Sequence, residues 1–386
     1  MIITFICDVL GQENNGTTIA TMNLIRNMRE AGHTVRLVTD DVERKDEAGV
    51  FLVPPINFGP FNGYVHHNGV NPASSKDTET IRKALEGADV VHFNFAGVLA
   101  KKAVRMAKKM NIPCVASLHT QAENFTVHVF LQHSRLINHL FYRILYGVLF
   151  SKVDAIHYPS EFIHNLFERH NHFKSNAYVI SNGIKTDFTR MDVARPPELE
   201  GKIVIAFTGR YSREKTHKTL FKAMKYSKYS DRIVLLLPGA GPLENKFKNK
   251  YSKYCKNPPI LGFHPHSEMI ELLNCVDIYA HVSRVDIEPV SFLEAISIGL
   301  PPILTDSRLS SVSSFAVDKE LNVFHHGDAK DLAEHIDYFI EHPDIAKANG
   351  EKYYGLASKY KIEDSMKKME QMFIEVIENH KKKQGP

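Results

Sequence analysis

The chain has 386 residues, 43% of them hydrophobic and 24% charged, with a formal net charge of +4 at pH 7. That length exceeds one ordinary hydrophobic core and predicts two domains. A net charge this small gives no support to nucleic-acid binding, and no uninterrupted apolar run reaches the roughly 18 residues of a membrane span.

The elements alternate along the chain. Met1 leads directly into an apolar run ending at Asp8, without the basic segment and small-residue cleavage site of a signal peptide. Short apolar, β-branched runs predict strands at 2–8, 34–40, 89–94, 113–119, 155–160 and 177–182. A polar stretch, 192–201, interrupts the series, which resumes at 202–209, 232–239, 258–262, 277–283 and 301–306. Apolar strands separated by helical patterns predict parallel sheets covered on both faces. The fold class is therefore α/β, with two Rossmann-like domains, 1–190 and 191–361. A last helix at 362–379 could pack on either domain, and 381–386 reads as a frayed tail. Cys7, Cys114, Cys255 and Cys275 form no C-x-x-C pair; Cys7, Cys114 and Cys275 sit in or beside apolar runs and read as buried free thiols of a cytosolic protein.

The strands end in polar residues, and in open parallel sheets ligands gather outside those carboxyl ends. After the first strand comes Gly11-Gln-Glu-Asn-Asn-Gly16-Thr, which lacks the G-x-G-x-x-G of a dinucleotide fingerprint. Gly16 can bring backbone close to a ligand there, while Asn14, Asn15 and Thr17 can equally serve as helix caps. His119-Thr-Gln-Ala-Glu-Asn ends another strand and makes His119 a candidate. The 21 histidines, His66-His67 and His325-His326 among them, show no metal-ligand spacing, so no metal is expected.

In the second half, Gly209-Arg210 and Lys215 follow a strand and offer two cations to a diphosphate. Gly239-Ala-Gly-Pro and Gly262-Phe263-His-Pro are further strand-end loops; the glycines allow close backbone approach, and the second loop, Phe263 included, could touch a base through backbone groups. The stretch from Ser283 to Pro302 holds the most chemistry. Asp286 and Glu294 are eight residues apart around Pro289, and Gly299-Leu-Pro-Pro closes the helix between them. Pro289 suits the first helical turn. The helix N-terminus, with Val290 and Ser291, suits a phosphate, and the acids suit sugar hydroxyls. A nucleotide-sugar needs both.

One segment of the first half is amphipathic. Arg135, His139 and Arg143 share a helix face, with Leu136, Leu140, Phe141, Ile144, Leu145 and Val148 filling the rest. Such a helix can lie on an anionic membrane, or it can pack on the first sheet. Lys101, Lys102, Arg105, Lys108 and Lys109 would add attraction to an anionic surface.

Taken together, the Asp286–Glu294 segment resembles the E-x7-E signature of retaining family 4 glycosyltransferases. Gly209-Arg210 with Lys215, the 239–242 turn and Gly299-Leu-Pro-Pro-Ile fall where that family has them. The match spans nearly the whole chain and is most specific over 203–310. Gly11-Gln-Glu-Asn-Asn-Gly, His119-Thr-Gln-Ala-Glu-Asn and Leu300-Pro-Pro-Ile-Leu-Thr-Asp-Ser resemble the bacterial branch that glycosylates diacylglycerol or ceramide. The resemblance implies the GT-B fold, two Rossmann-like domains facing across a cleft. It also implies transfer of glucose or galactose from a UDP-sugar to a lipid hydroxyl at the inner face of the cell membrane. Arg210 and Lys215 would hold the diphosphate, Glu294 the ribose, and Pro289, Val290 and Ser291 the sugar or phosphate. Gly16 would lie beneath the donor and His119 near its sugar. Asp286 stands where the signature has Glu, one methylene shorter, and Glu288 is a candidate to share its role. A soluble acceptor, or a non-catalytic nucleotide-sugar sensor, are the alternatives.

Overall fold

The computed structural model describes residues 1–8, 16–57, 59, 73–127, 131 and 134–384. It comprises two compact units: 1–122, 132–181 and 363–386 form the first, and 123–131 with 182–362 form the second. Residues 182–190 thus lie with the second unit. Ile184 bridges to Lys361, and its N–H donates to the Tyr360 carbonyl at 2.7 Å.

In the first unit, seven parallel strands are ordered β3-β2-β1-β4-β5-β6-β7. They are β1 (Ile2–Ile6), β2 (Thr34–Thr39), β3 (Val50–Leu52), β4 (Val90–Phe93), β5 (Cys114–Ser117), β6 (Ala155–Tyr158) and β7 (Ala177–Val179). Ile6 pairs with Val38 on one side and Phe93 on the other, so the strand order reverses at β1. The closing helix, Ile362–Lys383, belongs to this unit and runs well into the expected tail. Its Phe373 is fully buried and meets Phe5 and His92 edge-on, at 6.4 and 5.6 Å between ring centres. His33 and Glu370, 2.8 Å apart, fasten it further.

The second unit carries six parallel strands in the order β10-β9-β8-β11-β13-β15. They are β8 (Ile203–Ala206), β9 (Ile233–Pro238), β10 (Ile260–Gly262), β11 (Ile278–His281), β13 (Pro302–Thr305) and β15 (Val323–Phe324). A separate pair, β12 (Val285–Asp286) and β14 (Leu309–Ser310), aligns Asp286 with Ser310. The central strands β8, β9, β11 and β13 are short, largely apolar runs buried on both faces, which is why the parallel sheet forms with helices over it. The order reverses between β8 and β11, and such a switch point opens a crevice at the carboxyl ends of the strands. The segments carrying Lys215 and Asp286 leave the sheet at those two strands.

Candidate active site

Three loops at the carboxyl ends of β8, β9 and β10 are tied together by one side chain. Tyr211 is fully buried; its hydroxyl donates to the Leu237 carbonyl and accepts from the Gly262 N–H at 2.8 Å. Its backbone N–H and C=O bond Ala240 and Leu243 at 2.8 and 3.0 Å. A Cβ on Gly239 would overlap the Gly209 carbonyl oxygen, and one on Gly241 would lie 2.8 Å from the Tyr211 N and O. These glycines are therefore required by contact between the loops, whether or not a ligand also approaches them. Arg210 is half-buried on the same cluster. Phe263 stands 69% exposed beyond Gly262, an apolar ring presented to solvent at the edge of this rim.

The next turn carries Lys215 to Asp286. Thr216 adopts a left-handed backbone (φ 44°), and its hydroxyl donates to the Val282 carbonyl. The Arg284 N–H donates to the Glu214 carbonyl at 2.8 Å. With these two bonds holding the loops together, Lys215 Nζ reaches Asp286 Oδ2 at 2.7 Å. His281 Nε2 meets the same oxygen at 3.2 Å from below. Burial pushes the Asp286 carboxyl up, but the Lys215 charge and the His281 hydrogen bond outweigh it and hold the group down at about 2. Asp286 is thus a fixed anion next to the cation expected to meet a diphosphate.

Helix Val290–Ser297 begins one residue later than its proline suggests. Pro289 is the N-cap rather than the first helical residue, and the Val290 N–H turns back to the Glu288 carbonyl at 3.0 Å. The Ser291 hydroxyl accepts from the Tyr279 hydroxyl at 3.0 Å. Gly299, left-handed at φ 83°, turns the chain out of the helix and into β13. Glu288 is engaged elsewhere, because its Oε2 accepts from the Asn182 N–H at 2.8 Å and the Asn182 amide at 2.7 Å. It anchors the start of the second unit, and the acid paired with Lys215 is Asp286. Glu294 is half-buried one face along, and burial pushes its carboxyl up to about 8, with Lys185 opposing and Asp187 adding to the rise.

The first unit holds the other expected residues. Gly16 opens helix Gly16–Glu30; the Gly11–Asn15 part of its loop and the His66-His67 pair lie outside the described residues. His119 is half-buried two residues past β5, edge-on to His157 at 5.7 Å. Burial, with His157 and His92 nearby, lowers its imidazole well below the usual range. Beneath it runs a polar chain invisible from the sequence: His92 Nε2 to Ser117 Oγ at 2.7 Å, Ser117 Oγ to His157 Nδ1 at 2.8 Å, and His157 Nε2 to the Ile180 carbonyl at 2.7 Å. Asp8, past the end of β1, is fully buried; its Oδ2 accepts from the Leu99 N–H at 3.2 Å, and burial pushes it up to about 8.

Helix Arg135–Val148 buries Asn138, Tyr142 and Leu145 and leaves Leu136 (77%), Leu140 (56%) and Ile144 (52%) exposed. Arg135 and Arg143 immediately precede Leu136 and Ile144 in sequence and are exposed. His139 instead turns to His170, with their Nδ1 atoms 3.3 Å apart. On helix Val98–Lys109, Lys101, Arg105, Lys108 and Lys109 are exposed and Lys102 is half-buried.

Fold and site together define a glycosyltransferase of the GT-B type. Residues 14–188 match the model described as Glycosyltransferase Family 4, and residues 190–355 the one described as Glycosyl transferases group 1. The chain belongs to this glycosyltransferase family. It is similar to alpha-monoglucosyldiacylglycerol synthases from Streptococcus pneumoniae and Acholeplasma laidlawii. The first is 22% identical over 394 residues, covering 98% of this chain and 86% of the relative. The second is 23% identical over 314 residues, covering 76% and 77%. Among solved structures, Anabaena Alr3699/HepE in complex with UDP-glucose shares the fold with a TM-score of 0.74 at 15% identity, over 98% of this chain and 100% of that one.

Proposed function

We propose that the chain is a retaining hexosyltransferase that moves glucose or galactose from a UDP-sugar to the hydroxyl of a lipid, diacylglycerol or ceramide, forming an α-glycolipid. The observation that carries the donor half is the Lys215–Asp286 pair, 2.7 Å apart at the carboxyl ends of β8 and β11. Cations at that point meet a diphosphate, and a fixed carboxylate beside them meets sugar hydroxyls. Arg210 and Lys215 hold the diphosphate, Glu294 the ribose, and Pro289, Val290 and Ser291 the sugar or phosphate. Gly239 shapes the phosphate loop and Phe263 lies against the base. We also assign Gly16 and His119 to the donor.

In the transfer, the bond from the anomeric carbon to the diphosphate oxygen breaks and its electron pair leaves with the diphosphate. The lipid oxygen bonds the anomeric carbon from the same face, and its proton passes to the departing phosphate. Arg210 and Lys215 stabilise the negative charge that develops on the leaving group. These cations supply the neutralising charge, and we expect no requirement for a divalent metal. Asp286 orients the sugar and forms no covalent intermediate; isolation of a glycosyl-Asp286 adduct with a fluorinated donor would overturn this step.

The lipid half rests on the similarity to two diacylglycerol glycolipid synthases and on the exposed Leu136, Leu140 and Ile144 stripe beside Arg135 and Arg143. Each such side chain buried in the acyl boundary contributes about 1.5–3 kcal/mol, and Lys101 and Lys102 with their neighbours about 1 kcal/mol per cation at an anionic surface. No helix among the described residues is long and apolar enough to cross a membrane, so attachment is peripheral in this reading, at the inner face of the cell membrane. The deciding experiment sets UDP-glucose and UDP-galactose against diacylglycerol and ceramide in anionic vesicles, with products separated by mass and their anomeric configuration read by NMR. An α-linked lipid product is expected; donor turnover onto a soluble acceptor alone would overturn the lipid assignment.

A further inference from the structure

His281 terminates β11 and would pass, from the sequence alone, as one more residue of a buried strand. Its side chain is fully buried, boxed by Phe207 at 5.3 Å and Phe292 at 6.4 Å between ring centres. Nδ1 has no hydrogen-bond partner among the described residues, whereas Nε2 faces Asp286 Oδ2 at 3.2 Å. An ionised carboxylate only accepts, so Nε2 must carry the proton and Nδ1 the bare lone pair. A second proton on Nδ1 would be an unsatisfied charge in an apolar box.

Both contacts to Asp286, from His281 and from Lys215, fall on Oδ2. Oδ1 therefore keeps its lone pairs directed elsewhere. Asp286 is one methylene shorter than the Glu of the family signature, so what its Oδ1 can reach depends on how the carboxylate is aimed. We propose that His281 is a positioning residue that pins Asp286 Oδ2 from beneath the sheet end, so that Oδ1 is presented to a donor-sugar hydroxyl while Lys215 remains beside the diphosphate. This rests on the reading of Asp286 as part of the donor site.

The groups facing this pair are Lys215 above, His217 on the next helix, and Tyr279 two residues back on β11. Burial, Lys215 and His281 keep His217 neutral, down at about 3, and Tyr279 is pushed up by burial. Neither titrates near neutrality; Glu294, pushed up to about 8, does, but it is common to wild type and variant, so the difference between their acid limbs reports Asp286 and His281.

The test compares His281→Leu, which removes the donor, with His281→Gln, which keeps an N–H at similar reach. Each is also placed in an Asp286→Asn background. His281→Leu is expected to lower kcat roughly tenfold with little change in KM for the nucleotide and to move the acid limb of kcat/KM upward, with Gln restoring most of the rate. In the Asp286→Asn background, His281→Leu should add nothing. A wild-type kcat and pH profile for a folded His281→Leu, or a full additional loss in the Asn background, overturns the proposal. If Asp286→Asn alone retains full transfer, it is the donor-site reading that fails. Should the Leu variant not fold, histidine 15N NMR of the wild-type protein decides: the Nε2–H tautomer of His281 is required, and an Nδ1–H tautomer overturns it.

Discussion

The Lys215 ammonium stands 2.7 Å from the Asp286 carboxylate although 71 residues separate them along the chain. The two loops that bring them together leave adjacent strands, β8 and β11, where the sheet order reverses. Removing the cation should therefore affect chemistry more than fold. Lys215→Ala is expected to reduce transfer by about 100-fold or more, the range for loss of one charge-stabilising group, when initial rates are measured with saturating lipid. Lys215→Arg should rescue little, because a planar fork cannot replace a point donor on a single oxygen.

Two acids give the protein a pH dependence with a definite sign. Glu294 and Asp8 are each pushed up to about 8 in the folded chain, from ordinary values of 4.5 and 3.8. A raised carboxyl makes the folded state hold its proton more tightly than the unfolded state does. The stability it contributes is fully present below the ordinary value and is lost as pH rises toward 8. Glu294→Gln and Asp8→Asn should each flatten the fall in melting temperature between pH 5 and 8, read by thermal denaturation. Equal slopes in variant and wild type would contradict this. Glu294→Gln should also weaken UDP binding, by calorimetry, if the carboxylate meets the ribose.

Gly241 sits at φ 153° with its missing Cβ 2.8 Å from the backbone of Tyr211. Gly241→Ala must push apart the loops that Tyr211 joins. A loss of roughly 1–3 kcal/mol is expected from the strained backbone, together with weaker UDP binding. Tyr211→Phe keeps the ring but leaves the half-buried Gly262 N–H and the buried Leu237 carbonyl without their shared partner, at a cost of about 1–3 kcal/mol.

The exposed stripe on helix Arg135–Val148 separates membrane attachment from folding. Replacing Leu136, Leu140 and Ile144 together by Ser should abolish co-sedimentation with anionic vesicles while changing stability by only about 0.5 kcal/mol per site, as for other exposed positions. Transfer to a lipid in vesicles should fall, whereas donor hydrolysis in solution should not. Retained vesicle binding would place the membrane contact elsewhere.

The proposed independence from metal is checked by assaying transfer in excess EDTA and again with added magnesium. Equal rates are expected; a rate that vanishes with EDTA and returns with magnesium would mean that Arg210 and Lys215 do not suffice.

Much of this protein was legible in the residues alone. The alternation of short apolar strands with helices dictated two parallel sheets, since only burial on both faces suits such runs. Gly299 before Pro301 and Pro302 dictated where helix Val290–Ser297 ends. Arg210 with Lys215, and Asp286 with Glu294, stood out because the spacing within each pair is local, whereas short strands such as β3, β12, β14 and β15, two or three residues each, carry too little periodicity to be read. Only the tertiary structure decided what depends on distant partners. It paired Glu288 with Asn182 and Lys215 with Asp286, and made Gly239 and Gly241 obligatory through Gly209 and Tyr211. It also attached the last helix to the first sheet through Phe373 and put His281 beneath Asp286. Hydrogen bonds and ring contacts between residues far apart in the chain leave no periodic trace in the sequence, so they become readable only once the sheets have brought those residues together.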